Sequence, residues 1–229
     1  MFVLIKHLFN FAPAIMETNQ MSYSDKQLQI LETAEKLFSS KGFDGTSVRD
    51  IADEAGVNVA MISYYFRSKE KLMETLFEQR MGHIKMRVES LLKDDTLTPF
   101  QKMEILVDEH IERVMHRQQF HKIMFCEQVL NKNPIIIRMV NDLKLRNLAV
   151  IDKLIQDGQK KGAFKKKIDV VMLLNTMMGT VSYMVVSIDY YREYNNLQEM
   201  TNEEYQVLIK KKLGTHIKTL FKAILMYEA

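Results

Sequence analysis

Between Ile51 and Phe66 the chain sets a small residue, a glycine and several apolar side chains at offsets that only two crossed helices can use together. Ala52 is small enough to stand where two helices touch, and Gly56, four residues on, supplies the turn between them. Ile51, Ala55, Val57, Ile62 and Phe66 fall on the inward positions that lock the crossing angle. Asn58, Val59, Ala60, Ser63 and Tyr64 are left pointing outward from the second helix of the pair. Such a helix can lie in a DNA major groove with those side chains at base edges, although helical hairpins that bind no DNA share the apolar pattern.

The rest of the chain is compatible with helix throughout. Only 8 Gly and 3 Pro interrupt 229 residues, and no alternating strand pattern of useful length occurs. Ile30, Leu31, Ala34, Leu37 and Phe38 recur at helical spacing, and Lys41-Gly42 closes that helix with a cation and a left-handed stop. Thr46 or Ser47 caps a short helix through Ala55, a third helix runs from near Asn58 to Phe66, and Ser68 caps a long fourth from Lys69 to Lys93. Thr98-Pro99-Phe100-Gln101 is a capping box with proline at the first helical position, and Asn133-Pro134 repeats the cap-plus-proline signal. Helices are predicted from Thr98 to Arg117, Phe120 to Leu130, Pro134 to Lys161 and Ile168 to Tyr191. A last one, opened by the capping box Thr201 to Glu204, carries the stripe Tyr205, Ile209, Leu213, Ile217, Leu220 and Ile224. The expected fold is all-α, with about nine helices. A disordered extension, or a start codon placed ahead of Met16 or Met21, is expected over residues 1–23. A helix-turn-helix DNA-binding domain is expected over 24–70, and a larger helical ligand-binding and dimerisation domain over 71–229.

Charge alone does not argue for nucleic acid. The net charge is +3, and residues 24–70 hold six Lys/Arg against eight Asp/Glu, so the case rests on geometry. The run from Leu31 to Leu72 adds specificity. Ala34-Glu35-Lys36-Leu37-Phe38, Gly42-Phe43, Thr46-Ser47-Val48-Arg49-Asp50-Ile51-Ala52, Ala55-Gly56-Val57 and Tyr64-Tyr65-Phe66-Arg67-Ser68-Lys69-Glu70-Lys71-Leu72 together resemble the TetR family signature. The resemblance implies that Thr46, Ser47 and Arg49 grip the DNA backbone at a helix start, where free N–H groups and the helix dipole also favour phosphate. It likewise implies that Tyr65 and Lys69 contact phosphate, and that Asn58, Val59, Ala60, Ser63 and Tyr64 read bases. Many members have an aromatic residue at the position of Ser63 and histidine at that of Tyr64, so operator sequence does not carry over. The resemblance further implies a homodimeric repressor of a palindromic double-stranded DNA operator, released by a small-molecule effector. An adaptor or activator of the same fold answering to a protein partner is the alternative.

The remaining residues narrow the reading. Val170 to Ile188 carries no charge, but Asn175, Thr176, Thr180, Ser182, Tyr183 and Ser187 suit the central helix of a bundle, shielded by its own domain and a partner subunit, better than a membrane span. On that helix Gly179 and Ser182 would let partner helices approach, with Met178, Val181, Val185 and Ile188 beside them. A pocket lined by Met103, His110, Phe120, Met124, Phe125 and Tyr183 is expected, although core filling suits each methionine, and a core histidine suits His110, better than a pocket role. Glu112 and His116 share a helix face without a third ligand, so no metal and no cofactor are expected. No phosphate-binding glycine loop, HExxH or Gly-x-Ser-x-Gly elbow occurs, which argues against an enzyme. The single cysteine, Cys126, fits a reducing compartment, and the chain reads as cytoplasmic with no membrane partner.

Overall fold

The computed structural model describes residues 23–81, 84–130 and 134–226; the expectation for residues 1–22 and the cap at Asn133 lie outside them. The described residues form eleven helices and no strand. These are α1 (Asp25–Lys41), α2 (Val48–Glu54), α3 (Val59–Phe66), α4 (Lys69–Met81), α5 (Ile84–Lys93), α6 (Pro99–His116), α7 (Gln118–Leu130), α8 (Pro134–Lys160), α9 (Val170–Val186), α10 (Ile188–Tyr194) and α11 (Asn202–Leu225).

Local chemistry sets most of these boundaries. Reciprocal capping boxes open α1 (Ser24 with Gln27), α2 (Ser47 with Asp50), α6 (Thr98 with Gln101) and α11 (Thr201 with Glu204). Asp169 caps α9 by accepting from the Met172 N–H, which starts the helix at Val170, two residues after the predicted Ile168. Gly56 joins α2 to α3 at φ +60°, a conformation costly for any residue with a Cβ.

Two expectations are corrected. The uncharged helix does not run on to Tyr191: it ends at Val186, and α10 leaves at 78°. Ser187 makes the break, its hydroxyl donating to the Tyr183 carbonyl at 2.7 Å, a back-bond that bends helices. No single helix among the described residues is long and apolar enough to cross a membrane. The stripe of α11 keeps a spacing of four to its end, so Phe221 and Leu225 are buried where Leu220 and Ile224 were predicted. The segment 69–93, expected as one helix, is described as α4 and α5, with 82–83 outside the described residues.

Buried side chains gather in two clusters. The first joins α1 to α4 through Ile30, Leu31, Phe38, Ile51, Ile62, Leu72 and Leu76, and takes in Phe120, Ile123 and Met124 of α7 and Ile136 and Val140 of α8. Leu76 therefore belongs with the helix-turn-helix core. The second centres on α6, α9 and α11, through residues such as Val107, Val114, Val181, Leu213 and Phe221. Each fully buried Leu, Ile or Phe contributes roughly 1.5–3 kcal/mol of hydrophobic stabilisation. Lys210–Glu112 and Lys218–Asp108 pair α11 with α6 along one edge; as exposed pairs they orient the helices more than they stabilise them.

Candidate DNA-reading face and interior cavity

The helix pair forms around the predicted contacts. Ile51, Ala52, Ala55, Ile62 and Phe66 are buried, so α3 can present only its other side to solvent. Asn58, Val59, Ala60, Ser63 and Tyr64 are all exposed, Tyr64 by 81%. Asn58 also caps α3: its Oδ1 accepts the Ala60 N–H at 2.8 Å, leaving the amide NH2 as its outward donor. Tyr65 is half-buried, with its ring edge-on to Tyr64 at 5.1 Å.

At the start of α2 the expected backbone contacts divide. Thr46 is 1% exposed, and its hydroxyl donates to the carbonyls of Gly42 (2.8 Å) and Leu37 (3.3 Å). Its side chain closes the end of α1, so the expectation that it grips phosphate is corrected. Ser47 and Arg49 are exposed. The Ser47 hydroxyl is engaged with Asp50, whose carboxyl it holds below its ordinary range together with the Ser47 N–H. Lys69 reaches across from α4, its Nζ donating at 2.9 Å to the carbonyls of both Phe43 and Thr46 and lying 4.2 Å from the centre of the Phe43 ring. One Nζ donor remains for a phosphate, while the other two hold the α1–α2 loop beside the helix start that carries Arg49.

These roles separate in a salt titration of operator binding. Arg49→Ala is expected to weaken binding on every sequence and to reduce the salt slope by about 0.9. Thr46→Val is expected to leave that slope unchanged while costing roughly 1 kcal/mol of stability, since the hydroxyl's hydrogen bond to the Gly42 carbonyl is lost. Tyr64→Ala is expected to alter base preference; an unchanged preference in a randomised-operator selection would remove Tyr64 from the readout.

The predicted pocket residues are scattered. A cavity of about 440 Å³ opens among α5 to α9, and of the six expected residues only His110 and Met124 line it. Met103 is core, Phe120 packs edge-on to Phe77 at 5.0 Å, Phe125 is half-buried outside the lining, and Tyr183 is 64% exposed. The walls that sequence reasoning missed are Asn141 to Ile151 of α8 and Val171 to Met178 of α9. On α8 the lining positions mix Asn141, Lys144 and Asn147 with Leu145 and Leu148, and so read as a solvated face.

Nitrogen-bearing side chains gather in the interior: His110 Nε2, Arg113 Nε, Arg117 Nη1 and His121 Nε2 are shielded from solvent without a hydrogen-bond partner among the described residues. Burial, reinforced by Arg113 and His121, lowers the His110 pKa to about 3; burial with Arg113 and Arg117 lowers that of His121 to about 4. Burial also lowers the Arg113 pKa, against the attraction of Glu109, a carboxylate bonded to Arg87 at 2.7 Å.

The interface residues also divide. Val181 and Val185 are buried in the chain's own core, Met178 lines the cavity, and Ser182 and Ile188 are half-buried, so the expected set does not form one outward face. The exposed stripe of α9 is Met172, Asn175, Gly179, Tyr183 and Val186, continued by Tyr190 on α10. These positions recur at three and four, whereas the buried Leu173, Met177, Val181 and Val185 occupy the opposite side.

The fold and the outward face of α3 define a helix-turn-helix DNA-binding transcription regulator. Residues 30–76 match the model described as bacterial regulatory proteins, tetR family, and residues 77–211 match the YsiA-like protein C-terminal region. The chain belongs to the TetR family of transcriptional regulators. The fatty acid metabolism regulator protein of Bacillus subtilis is 24% identical over 195 residues, covering 84% of this chain and 97% of that protein. Among solved structures, the ketosteroid transcriptional regulator KstR2 of Mycobacterium tuberculosis aligns with TM-score 0.66 at 21% identity, over 90% of this chain and 97% of that one. FadR of Bacillus subtilis in complex with stearoyl-CoA aligns with TM-score 0.62 at 20% identity, over 84% and 97%.

Proposed function

We propose that the protein is a cytoplasmic repressor that binds a palindromic operator as a homodimer and is released by a small hydrophobic effector. In this reading residues 24–70 bind DNA and residues 71–229 bind the effector and the partner subunit. Ser47, Arg49, Tyr65 and Lys69 hold the DNA backbone, and the outward residues of α3 read bases. The second subunit packs on the exposed stripe of α9, which sets the two recognition helices at half-sites one turn (~34–36 Å) apart.

The observation that carries the effector reading is the position of Met124. It lines the cavity and also belongs to the core cluster that holds α1 to α4 together. A molecule filling the cavity must push on α7, and α7 cannot move without shifting the helix-turn-helix core, because Phe120 and Ile123 on the same helix are buried in it. Each ~1.4 kcal/mol by which the effector prefers the shifted state costs tenfold in operator affinity. The FadR structure in complex with stearoyl-CoA and the ketosteroid regulator KstR2 support an apolar effector class. A protein-responsive adaptor would need no such apolar cavity between its helices, so the cavity favours the small-molecule reading.

Hydrophobic compounds that raise the melting temperature are expected to weaken operator binding, and operator DNA to weaken their binding by the same factor. Compounds that bind in the cavity while operator affinity stays constant would overturn the release mechanism in favour of the adaptor.

A further inference from the structure

The cavity sets two basic side chains with buried nitrogens into an otherwise apolar interior. The solvent-facing part of its lining, on α8 and α9, mixes Leu145 (62% exposed) and Val171 (49%) with Asn141, Asn147, Asn175 and Lys144, whose ammonium is bonded to Gln128. The shielded part, on α5 to α7, includes Val88 and Met124, but also His110 and Arg113, each with a buried nitrogen lacking a hydrogen-bond partner. Leaving buried donors unpaired is costly, and a buried guanidinium most of all. The cost falls only when an oxygen acceptor arrives, best of all a charged one.

Among the described residues, neither Arg113 Nε nor His110 Nε2 has a hydrogen-bond partner. Glu109, the carboxylate that acts on Arg113, is bonded to Arg87, and Glu35 is bonded by both Nε and Nη2 of Arg80. The charge at the inner end of the cavity is therefore the Arg113 guanidinium, beside the uncharged imidazole of His110, whose ring lies 6.5 Å from that of His121. A neutral apolar molecule would fill the volume and leave this end unsatisfied. A volume of about 440 Å³ lies in the range of sites for single small molecules.

Resting on the reading of this cavity as the effector site, we propose that the effector is a long-chain carboxylate bound head-inward. Its carboxylate meets Arg113 and His110, and its chain runs outward past Leu148 and Leu174 to cover Leu145 and Val171. The compact head is the specific element. An acyl chain esterified to a bulky carrier has no free carboxylate, and its carrier cannot pass to the inner end.

Titration calorimetry on the full-length protein with tetradecanoate, methyl tetradecanoate and tetradecanoyl-CoA separates these cases. Tetradecanoate is expected to bind roughly ten- to a hundredfold more tightly than its methyl ester, the factor for a hydrogen bond to a charged group. Arg113→Gln is expected to remove that difference by weakening the acid alone. His110→Leu is expected to narrow it, and it carries the test if Arg113→Gln fails to fold in a thermal melt. Equal binding of acid and ester overturns the head-group assignment while leaving the cavity as an effector site. Tighter binding of tetradecanoyl-CoA, unchanged by either substitution, overturns the head-inward orientation. Binding of none of the three overturns both the inference and the hydrophobic-effector reading on which it rests.

Discussion

Gly179→Arg is expected to yield a folded monomer whose operator affinity falls by about two to four orders of magnitude, the range lost when two linked binding events become independent. A Cβ built on Gly179 meets nothing within 4 Å, so the substitution is free of clash within the subunit. Arginine also favours helix over glycine by up to about 1 kcal/mol, which should hold or raise the stability of α9. Any loss of dimer is then an effect of the interface alone. Val181→Arg is the contrasting control. That side chain is 0% exposed, and a charge placed there should unfold the chain before assembly is in question. Sedimentation measures both outcomes, and a Gly179→Arg protein that stays dimeric would move the interface away from the α9 stripe.

Acidification is expected to destabilise the protein through His110 and His121. Their folded pKa values, about 3 and about 4, lie below the ~6.5 of an unfolded histidine. Between those values the unfolded chain binds more protons, so unfolding free energy rises with pH through this window. The contribution is complete above about pH 6.5 and is lost as the pH falls toward 4, amounting to a few kcal/mol for the pair. Carboxylates titrate in the same range, so the comparison is with a His121→Phe variant, which suits the neighbouring Phe120 ring. Urea melts at pH 7 and pH 4.5 should show a smaller acid loss in the variant. Equal losses would mean that His121 takes up its proton without penalty. The same basic cluster is where the effector head is placed, so these groups cost stability in the free protein and gain a partner on binding.

How far the sequence alone reached depended on the range of the interactions involved. The helix-turn-helix was legible because its constraints are local. Ala52, Gly56 and Ile62 lie within eleven residues, and the capping boxes at Ser24, Ser47, Thr98 and Thr201 each span four. The outward face of α3 followed from periodicity, since burial of Ile62 and Phe66 leaves Ser63 and Tyr64 no other direction. Thr46 misled because residue type and position suit a phosphate contact equally well. Only the approach of the α1 carboxyl end, placed by Gly42, gives its hydroxyl two inward acceptors.

The cavity and the interface were legible only in part, and for one reason. An apolar residue on a helix such as α9 can face its own core, a ligand or another subunit, and all three require the same side chains. Met178, Val181 and Tyr183, close together in sequence, were assigned to a partner, a partner and a pocket. The packed structure places them at the cavity, in the core and on the surface. That partition is set by where α6, α8 and α11 lie around α9, which depends on contacts between residues tens of positions apart. By itself the sequence determined the helices, their caps and the reading face, because hydrogen bonds and periodicity within one or two turns decide them. Which apolar faces close on each other, and where unpaired basic groups are left inside, only the tertiary structure decided, because burial is a property of the whole packing.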